Sequence, residues 1–167
     1  MIELPIKLGQ DLKDYLLGVS QHVLKNKLHH YDEKGYSNLH VFSILESDLV
    51  DEMRLKRILS AVDCKCKLYF LSYPPFGINP WHHDTESNSH RKSCVTWNLA
   101  KNIDNVAPTL FQTGRRIEAH RYNDNAFILN TRNEHSMTNG PDERHLFQMT
   151  FNMEPEEVAK HFLRTVI

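Results

Sequence analysis

The feature that most constrains this chain is a succession of short segments, beyond residue 63, in which apolar and polar side chains alternate. Alternation with a period of two is typical of strands that bury one face, and the Pro, Gly, Asn and Asp residues between the segments are typical of turns. The segments are residues 64–70, 93–99, 109–112, 116–120, 126–130 and 144–152. So many short strands in a row predict an all-β centre.

Helical patterns flank this centre. Residues 8–30 place apolar side chains at three- and four-residue steps, which predicts a helix with one apolar face. Residues 39–45 predict a strand, and a second helix is predicted to begin at a cap formed by Ser47 or Asp48. Pro155, among acidic residues, predicts the start of a last helix. The predicted class is therefore α+β.

Composition narrows the class of protein further. The chain has 167 residues, so residues 1–167 are predicted to form a single domain. A net charge of -1 excludes a global attraction to nucleic acid or to an anionic membrane. No apolar run approaches the length of a membrane span, and the first residues lack the apolar region of a signal peptide. The three cysteines indicate no disulfide framework and predict a cytoplasmic location.

A metal-binding pattern stands within the β-rich part. His82 and Asp84 are two residues apart, and in a strand such residues point to the same face, so both would reach one ion. His135 offers a third ligand much later in the chain. Two histidines and a carboxylate that hold one face of a metal and leave the other positions open suit a non-haem Fe(II) that activates O₂. The same alternation turns His83 to the opposite face.

Two arginines are candidates for binding a carboxylate, because the guanidinium presents a planar fork that matches a carboxylate in a bidentate manner. Arg144 comes nine residues after His135 and opens an otherwise apolar strand pattern. Arg91 comes nine residues after His82. Arg91 also belongs to a basic run in a polar segment, which is equally typical of an exposed loop.

The polar faces of two predicted strands have alternative interpretations. In residues 144–151, Phe147 lies on an apolar face, whereas Arg144 and Gln148 lie on a partly polar one. A partly polar inner face suits a small barrel with a ligand-holding interior, while a single sheet would turn that face to solvent. The histidine pattern favours the interior. Thr96 and Asn98 share one face of residues 93–99, and they point either toward a ligand or toward solvent.

Taken in this order, these residues resemble the 2-oxoglutarate and Fe(II)-dependent oxygenases, over residues 67–152. Members of that superfamily carry a His-x-Asp at the end of an early core strand, a distal histidine and then a basic residue. In this chain His82, Asp84, His135 and Arg144 match those positions. Tyr73 lies where prolyl-hydroxylase-like members often carry a tyrosine, whereas the spacing onward from His82 is closer to the aspartyl/asparaginyl β-hydroxylase branch.

The resemblance implies a double-stranded β-helix (jelly-roll) core over residues 64–152, flanked by N-terminal helices and a C-terminal helix. It implies Fe(II) bound by the three metal ligands, 2-oxoglutarate and O₂ as cosubstrates, and a distal carboxylate paired with Arg144. Further contacts to the cosubstrate are expected from Arg91, Tyr73, Thr96 and Asn98.

The implied reaction is hydroxylation of a peptide, an amino acid or a small molecule, with decarboxylation of 2-oxoglutarate to succinate. Two other functions stay open at this point. One is a catalytically silent jelly-roll that serves as a binding module. The other is a cupin-type metalloenzyme, although cupins usually contribute a His-x-His pair. The oligomeric state is not indicated by any pattern.

Overall fold

The computed structural model describes residues 1–26, 40–44, 66–84, 92–100 and 103–166. Within these residues the α+β class is confirmed. The strands and helices are β1 (Ile2–Lys7), α1 (Gln10–Asn26), β2 (His40–Ile44), β3 (Cys66–Tyr73), β4 (Ile78–His82), β5 (Ser93–Asn98), β6 (Thr109–Thr113), β7 (Arg116–His120), β8 (Asn125–Asn130), β9 (His135–Thr138), β10 (Arg144–Phe151) and α2 (Pro155–Val166), with a short 3-10 turn at Ile103–Asn105.

The described strands form two antiparallel sheets. The large sheet has the order β1-β8-β5-β10-β3-β2, and the small sheet has the order β4-β9-β6-β7. From β3 to β6, and again from β7 to β10, successive strands alternate between the two sheets, which is the winding of a double-stranded β-helix. The two sheets pack face to face, and no strand pairing among the described residues joins them, so the interior lies between two sheets.

The outer face of the large sheet packs against the two helices. Leu12 and Leu16 of α1 and Phe162 of α2 belong to one buried cluster with Trp97 of β5 and Phe147 of β10. The Trp97 ring centroid lies 5.7 Å from that of Phe147 and 6.3 Å from that of Phe162. Burial of these large side chains is the main favourable term for the fold.

The inner face of the large sheet meets the small sheet. Tyr73 of β3 and Leu146 of β10 form a buried cluster with Met137 of β9. A second cluster joins Phe111 of β6 to Phe127 of β8. β10 is covered on its outer face by the helices and on its inner face by the small sheet, so the interpretation with one solvated face is wrong for this strand.

Some predicted elements differ from the structure. β1 has no counterpart among the predictions, although it pairs with β8 at one edge of the large sheet. Leu4 and Ile6 are buried and their neighbours are exposed, but this alternation spans too few residues for the sequence to predict a strand. The second predicted helix, after Ser47 or Asp48, lies outside the described residues. Neither helix in the described ranges has the length and apolar character needed to cross a membrane.

Candidate metal centre

Two histidines face each other on neighbouring strands of the small sheet. β4 pairs with β9 so that His82 lies opposite His135, and their ring centroids are 4.2 Å apart. Asn79 lies opposite Met137, so the register shifts between the two pairs, as it does at a β-bulge. An extra residue inverts the alternation of the strand. Trp81 is consequently turned outward, where it is 40% exposed, and His82 is turned inward.

Asp84 reaches the same place by another route than the predicted one. The prediction placed His82 and Asp84 on one face of a single strand, whereas β4 ends at His82 and Asp84 lies in the turn that follows. The backbone N–H of Asp84 donates to the carbonyl oxygen of Thr131 at 3.1 Å, and His83 Nδ1 bonds to that of Arg132 at 3.0 Å. These bonds hold the turn against the β8–β9 connection. His83 is exposed and faces away from the site, as predicted.

The three side chains form a compact ligand set. Asp84 Oδ1 lies 3.5 Å from His82 Nε2 and 3.9 Å from His135 Nε2, and the three ligand atoms lie within 4.8 Å of one another. His82 Nδ1 lies 2.7 Å from the carbonyl oxygen of Pro80, and His135 Nδ1 lies 3.0 Å from that of Asn133. A carbonyl only accepts, so Nδ1 carries the hydrogen and Nε2 keeps its lone pair for a metal.

The surroundings of this set fit a divalent transition metal. Phe111 lies opposite His135 across the β6–β9 pairing and stacks on its ring, with centroids 5.6 Å apart. In the described part of the chain, His82, Asp84 and His135 are the group of His, Cys, Asp and Glu side chains spaced to hold an ion. Two imidazoles and one carboxylate from a single side suit Fe(II) and leave coordination positions for further ligands.

A buried guanidinium lies between the two sheets. Arg144, 1% exposed, donates from Nη1 to the carbonyl oxygen of Ala107 at 3.2 Å and from Nη2 to Thr109 Oγ1 at 3.1 Å, and it contacts the sulfur of Met137. Its Cζ lies 4.5 Å from the centroid of the Tyr122 ring, a cation–π distance. Among the described residues no carboxylate pairs with Arg144, and its Nε has no acceptor. A buried charge of this kind is stabilised by an anionic ligand.

Tyr73 joins this guanidinium to the metal-ligand set. It lies opposite Arg144 in the β3–β10 pairing, with Arg144 Cζ 5.8 Å from its ring centroid. Burial raises the pKa of Tyr73 well above its ordinary value, so the phenol stays neutral and keeps its hydrogen. Asn79 Nδ2 lies 3.4 Å from Tyr73 Oη and 3.5 Å from His82 Nε2.

The remaining predicted contact residues lie in different places. Thr96 and Asn98 are buried on the inner face of the large sheet, so of their two interpretations the solvent-facing one is wrong. Asn98 Oδ1 accepts from the backbone N–H of Ala100 at 2.8 Å, whereas its Nδ2 has no partner in the described ranges. Contact of either residue with a cosubstrate stays a prediction. Arg91 lies outside the described residues.

Several residues of the site were missed by sequence reasoning. Asn79, Thr109, Phe111 and Tyr122 all touch a predicted site residue. Thr109 also bonds to Tyr122 Oη at 3.2 Å, which places a hydroxyl pair beside Arg144. A polar residue close before a metal ligand was a signal for Asn79. No such signal existed for the others, since they are brought together by pairing of distant strands.

Comparison with solved structures identifies the fold. The chain is similar to a Pseudomonas putida prolyl-4-hydroxylase, with a TM-score of 0.65 and 13% identity over 90% of each chain. It is similar to a Trichoplax adhaerens prolyl hydroxylase in complex with a hypoxia inducible factor peptide fragment, with a TM-score of 0.65 and 13% identity, covering 95% of this chain and 85% of that one.

A third similar structure is the non-haem α-ketoglutarate-dependent epimerase SnoN from nogalamycin biosynthesis. Its TM-score is 0.62 at 12% identity, and the match covers 92% of this chain and 77% of that one. No family model matches the sequence, and no curated protein matches it by sequence. The chain therefore has the double-stranded β-helix fold of 2-oxoglutarate and Fe(II)-dependent oxygenases, and its activity must be argued from the site.

Proposed function

We propose that this protein is a non-haem Fe(II) and 2-oxoglutarate-dependent dioxygenase. The observation that carries the proposal is the pairing of two features on one inner surface. The first is the open ligand set of His82, Asp84 and His135. The second is the buried guanidinium of Arg144, which has no carboxylate partner in the described residues. A dicarboxylate that chelates a metal through its 2-oxo acid end would satisfy both features with one molecule.

The residues divide the work of binding. His82, Asp84 and His135 would hold Fe(II), and Arg144 would bind the distal carboxylate through its fork of donors. Bound Fe(II) would supply the activation of O₂, coupled to decarboxylation of 2-oxoglutarate to succinate. The protein would orient the ligands and exclude water around Arg144, which is 1% exposed.

The substrate class is proposed more broadly. Similar folds serve two prolyl hydroxylases and an epimerase, so the fold alone does not select hydroxylation. We propose oxidation of an unactivated C–H bond in a peptide, an amino acid or a small molecule, with hydroxylation as the expected outcome. The prolyl hydroxylase in complex with a peptide fragment makes a peptide the first substrate class to examine.

Succinate release in the absence of any other substrate tests the proposal. Wild-type protein loaded with Fe(II), and supplied with 2-oxoglutarate, ascorbate and O₂, should release succinate slowly. Asp84→Ala should abolish most of this release, because it removes the anionic ligand of the metal. His83→Gln is the matched control: it changes the adjacent exposed side chain but keeps an N–H for the Arg132 carbonyl that holds the turn, and should leave succinate release near wild type.

Metal binding is measured in the same proteins by anaerobic titration. Equal loss of succinate in both variants, with circular dichroism showing folded protein, would mean that the ligand set is assigned incorrectly. Bound metal and 2-oxoglutarate with no succinate under any condition would favour the silent binding module instead.

A further inference from the structure

Asn79 is a buried amide between the metal-ligand set and the Arg144 end of the inner surface. It is 5% exposed and lies in β4, one bulge before His82. Its backbone carbonyl accepts from the hydroxyl of Ser136 at 3.1 Å, so the strand pairing fixes its place in the small sheet. An amide held by a sheet is better positioned than one on a loop to select the orientation of a ligand.

The side chain of Asn79 is poorly satisfied for a buried polar group. Its Nδ2 lies 3.4 Å from Tyr73 Oη and 3.5 Å from His82 Nε2, and both distances are long for hydrogen bonds. Its Oδ1 is buried without a partner among the described residues. An amide oxygen accepts and cannot pair with a carboxylate, so the observation that bears on an anionic ligand is the weak engagement of the Nδ2 donor.

Metal binding would remove one of the two contacts of Nδ2. The lone pair of His82 Nε2 goes to the metal, and the atom then ceases to be an acceptor. The amide N–H of Asn79 would need another oxygen close to the metal. The proposed function supplies such an oxygen in the 2-oxo acid that chelates the ion.

We propose that Asn79 binds and positions the metal-chelating end of the cosubstrate, one N–H of Nδ2 donating to the α-carboxylate while the other N–H stays directed at Tyr73 Oη. The inference rests on the proposed function and deepens it. Recognition of 2-oxoglutarate is then divided between two residues. Arg144 binds the distal carboxylate, and Asn79 binds the 2-oxo acid group that every ligand of this type shares.

Two ligands separate these roles. 2-Oxovalerate has the same carbon chain as 2-oxoglutarate but lacks the distal carboxylate. With Fe(II)-loaded protein under anaerobic conditions, Asn79→Ala should weaken both ligands by the same factor, on the order of 10- to 100-fold for a hydrogen bond to a charged group. Arg144→Met should weaken 2-oxoglutarate and leave 2-oxovalerate close to its wild-type affinity.

A conservative variant and a spectrum exclude a structural role. Asn79→Asp keeps the shape of the side chain but replaces the N–H with an anionic acceptor. It should weaken both 2-oxo acids more than Asn79→Ala does, without weakening Fe(II) binding. The visible charge-transfer band of the Fe(II)–2-oxo acid complex should also shift in Asn79→Ala, because the α-carboxylate loses a donor.

The outcomes are distinguishable. Wild-type affinity for both 2-oxo acids in Asn79→Ala and Asn79→Asp, with unchanged melting temperatures, overturns the assignment. Loss of Fe(II) binding in Asn79→Ala also overturns it, since the amide would then act on the ligand set. Absence of 2-oxoglutarate binding in the metal-loaded wild type defeats the proposed function itself, and this is observed before any variant is made.

Discussion

The two faces of β10 are buried to nearly the same extent and consist of opposite chemistry. On the outer face Phe147 and Met149 are 0% exposed and pack under the helices. On the inner face Arg144 is 1% exposed and Gln148 is 5% exposed. Burial of the outer side chains stabilises the fold, whereas burial of a guanidinium without a carboxylate costs free energy. Burial of the outer face of β10 therefore stabilises the fold, whereas burial of the inner face leaves a charge that a ligand can pair with.

Buried polar atoms without a partner in the described residues lie on both sides of the large sheet. Trp97 Nε1 and His145 Nδ1 lie on the outer side, whereas Arg144 Nε, Asn98 Nδ2 and Asn79 Oδ1 lie on the inner surface. The two inner donors, Arg144 Nε and Asn98 Nδ2, retain the cost of their desolvation until an acceptor of a ligand pairs with them. The inner surface is thus prepared for a polar ligand in advance, and the outer cluster has to provide the stability that this preparation consumes.

The largest effect on folding is expected from the outer face. Phe147→Ala should lower the free energy of unfolding by about 3–5 kcal/mol, because it deletes a fully buried ring and leaves a cavity against Trp97 and Phe70. Denaturant unfolding of the metal-free protein measures the loss. The comparison would break if Phe147→Ala left the stability within about 1 kcal/mol of wild type.

Leu146→Ala sharpens this prediction, since Leu146 is the neighbour of Phe147 and packs with Tyr73 and Met137 on the inner side. Both Leu146→Ala and Phe147→Ala should destabilise the protein, but only Leu146→Ala should change the 2-oxoglutarate affinity of the folded fraction. A larger change of affinity in Phe147→Ala would contradict the division between the faces.

The next effect concerns ligand binding without folding. Arg144→Met keeps an unbranched side chain and removes the buried charge, so 2-oxoglutarate should bind more weakly by about 2–5 kcal/mol. The melting temperature without ligand should change little, because the lost hydrogen bonds are offset by the lost desolvation cost. Calorimetry with Mn(II)-loaded protein measures the affinity, and thermal unfolding measures the stability.

Arg132→Met is the matched control for this variant. Arg132 is an exposed arginine paired with Glu154 on the surface, so its removal should leave 2-oxoglutarate binding unchanged. A loss of stability in Arg144→Met as large as that in Phe147→Ala would show that the inner guanidinium is a structural element first.

Much of this arrangement followed from the sequence, for identifiable reasons. The alternation in residues 144–151 separated Arg144 from Phe147, and both lie on the predicted faces. Periodicity acts within one strand, so it predicts which residues share a face. The same reasoning placed Thr96 and Asn98 together, and only the cover provided by the small sheet decided that their face is inside.

Contacts between strands could not be predicted in this way. His82 meets His135 through the register of β4 and β9, and that register depends on a bulge which inverts the alternation. Asp84 arrives from a turn tied to Thr131, so the three side chains come together as predicted, but not for the predicted reason. Thr109 and Tyr122 surround Arg144 only because the small sheet folds over the large one.

The smallest expected effect comes from a half-buried group at the edge of the interior, His120. It lies opposite Thr109 in the β6–β7 pairing and makes edge contacts with the rings of Tyr122 and Phe127. Burial, together with the positive charge of Arg144, lowers the pKa of His120 from 6.5 to about 4, although Glu3 acts in the opposite direction. The folded protein therefore resists protonation at this site.

The sign of the resulting pH dependence follows from linkage. Between pH 6.5 and about 4 the unfolded chain binds the proton and the folded protein does not, so the contribution of His120 to stability is full above pH 6.5 and is lost as the pH falls toward 4. Because the ring is partly exposed, we expect a loss on the order of 1–2 kcal/mol.

His120→Gln, which does not titrate, should lose less stability over this window in denaturant unfolding. The other histidines contribute equally to both proteins and cancel in the difference between the two curves. If the stability–pH curves of wild type and His120→Gln are parallel, His120 is protonated as easily in the folded protein as in the unfolded chain. The polar interior would then be open to water at this end of the small sheet, in contrast to the buried cluster under the helices.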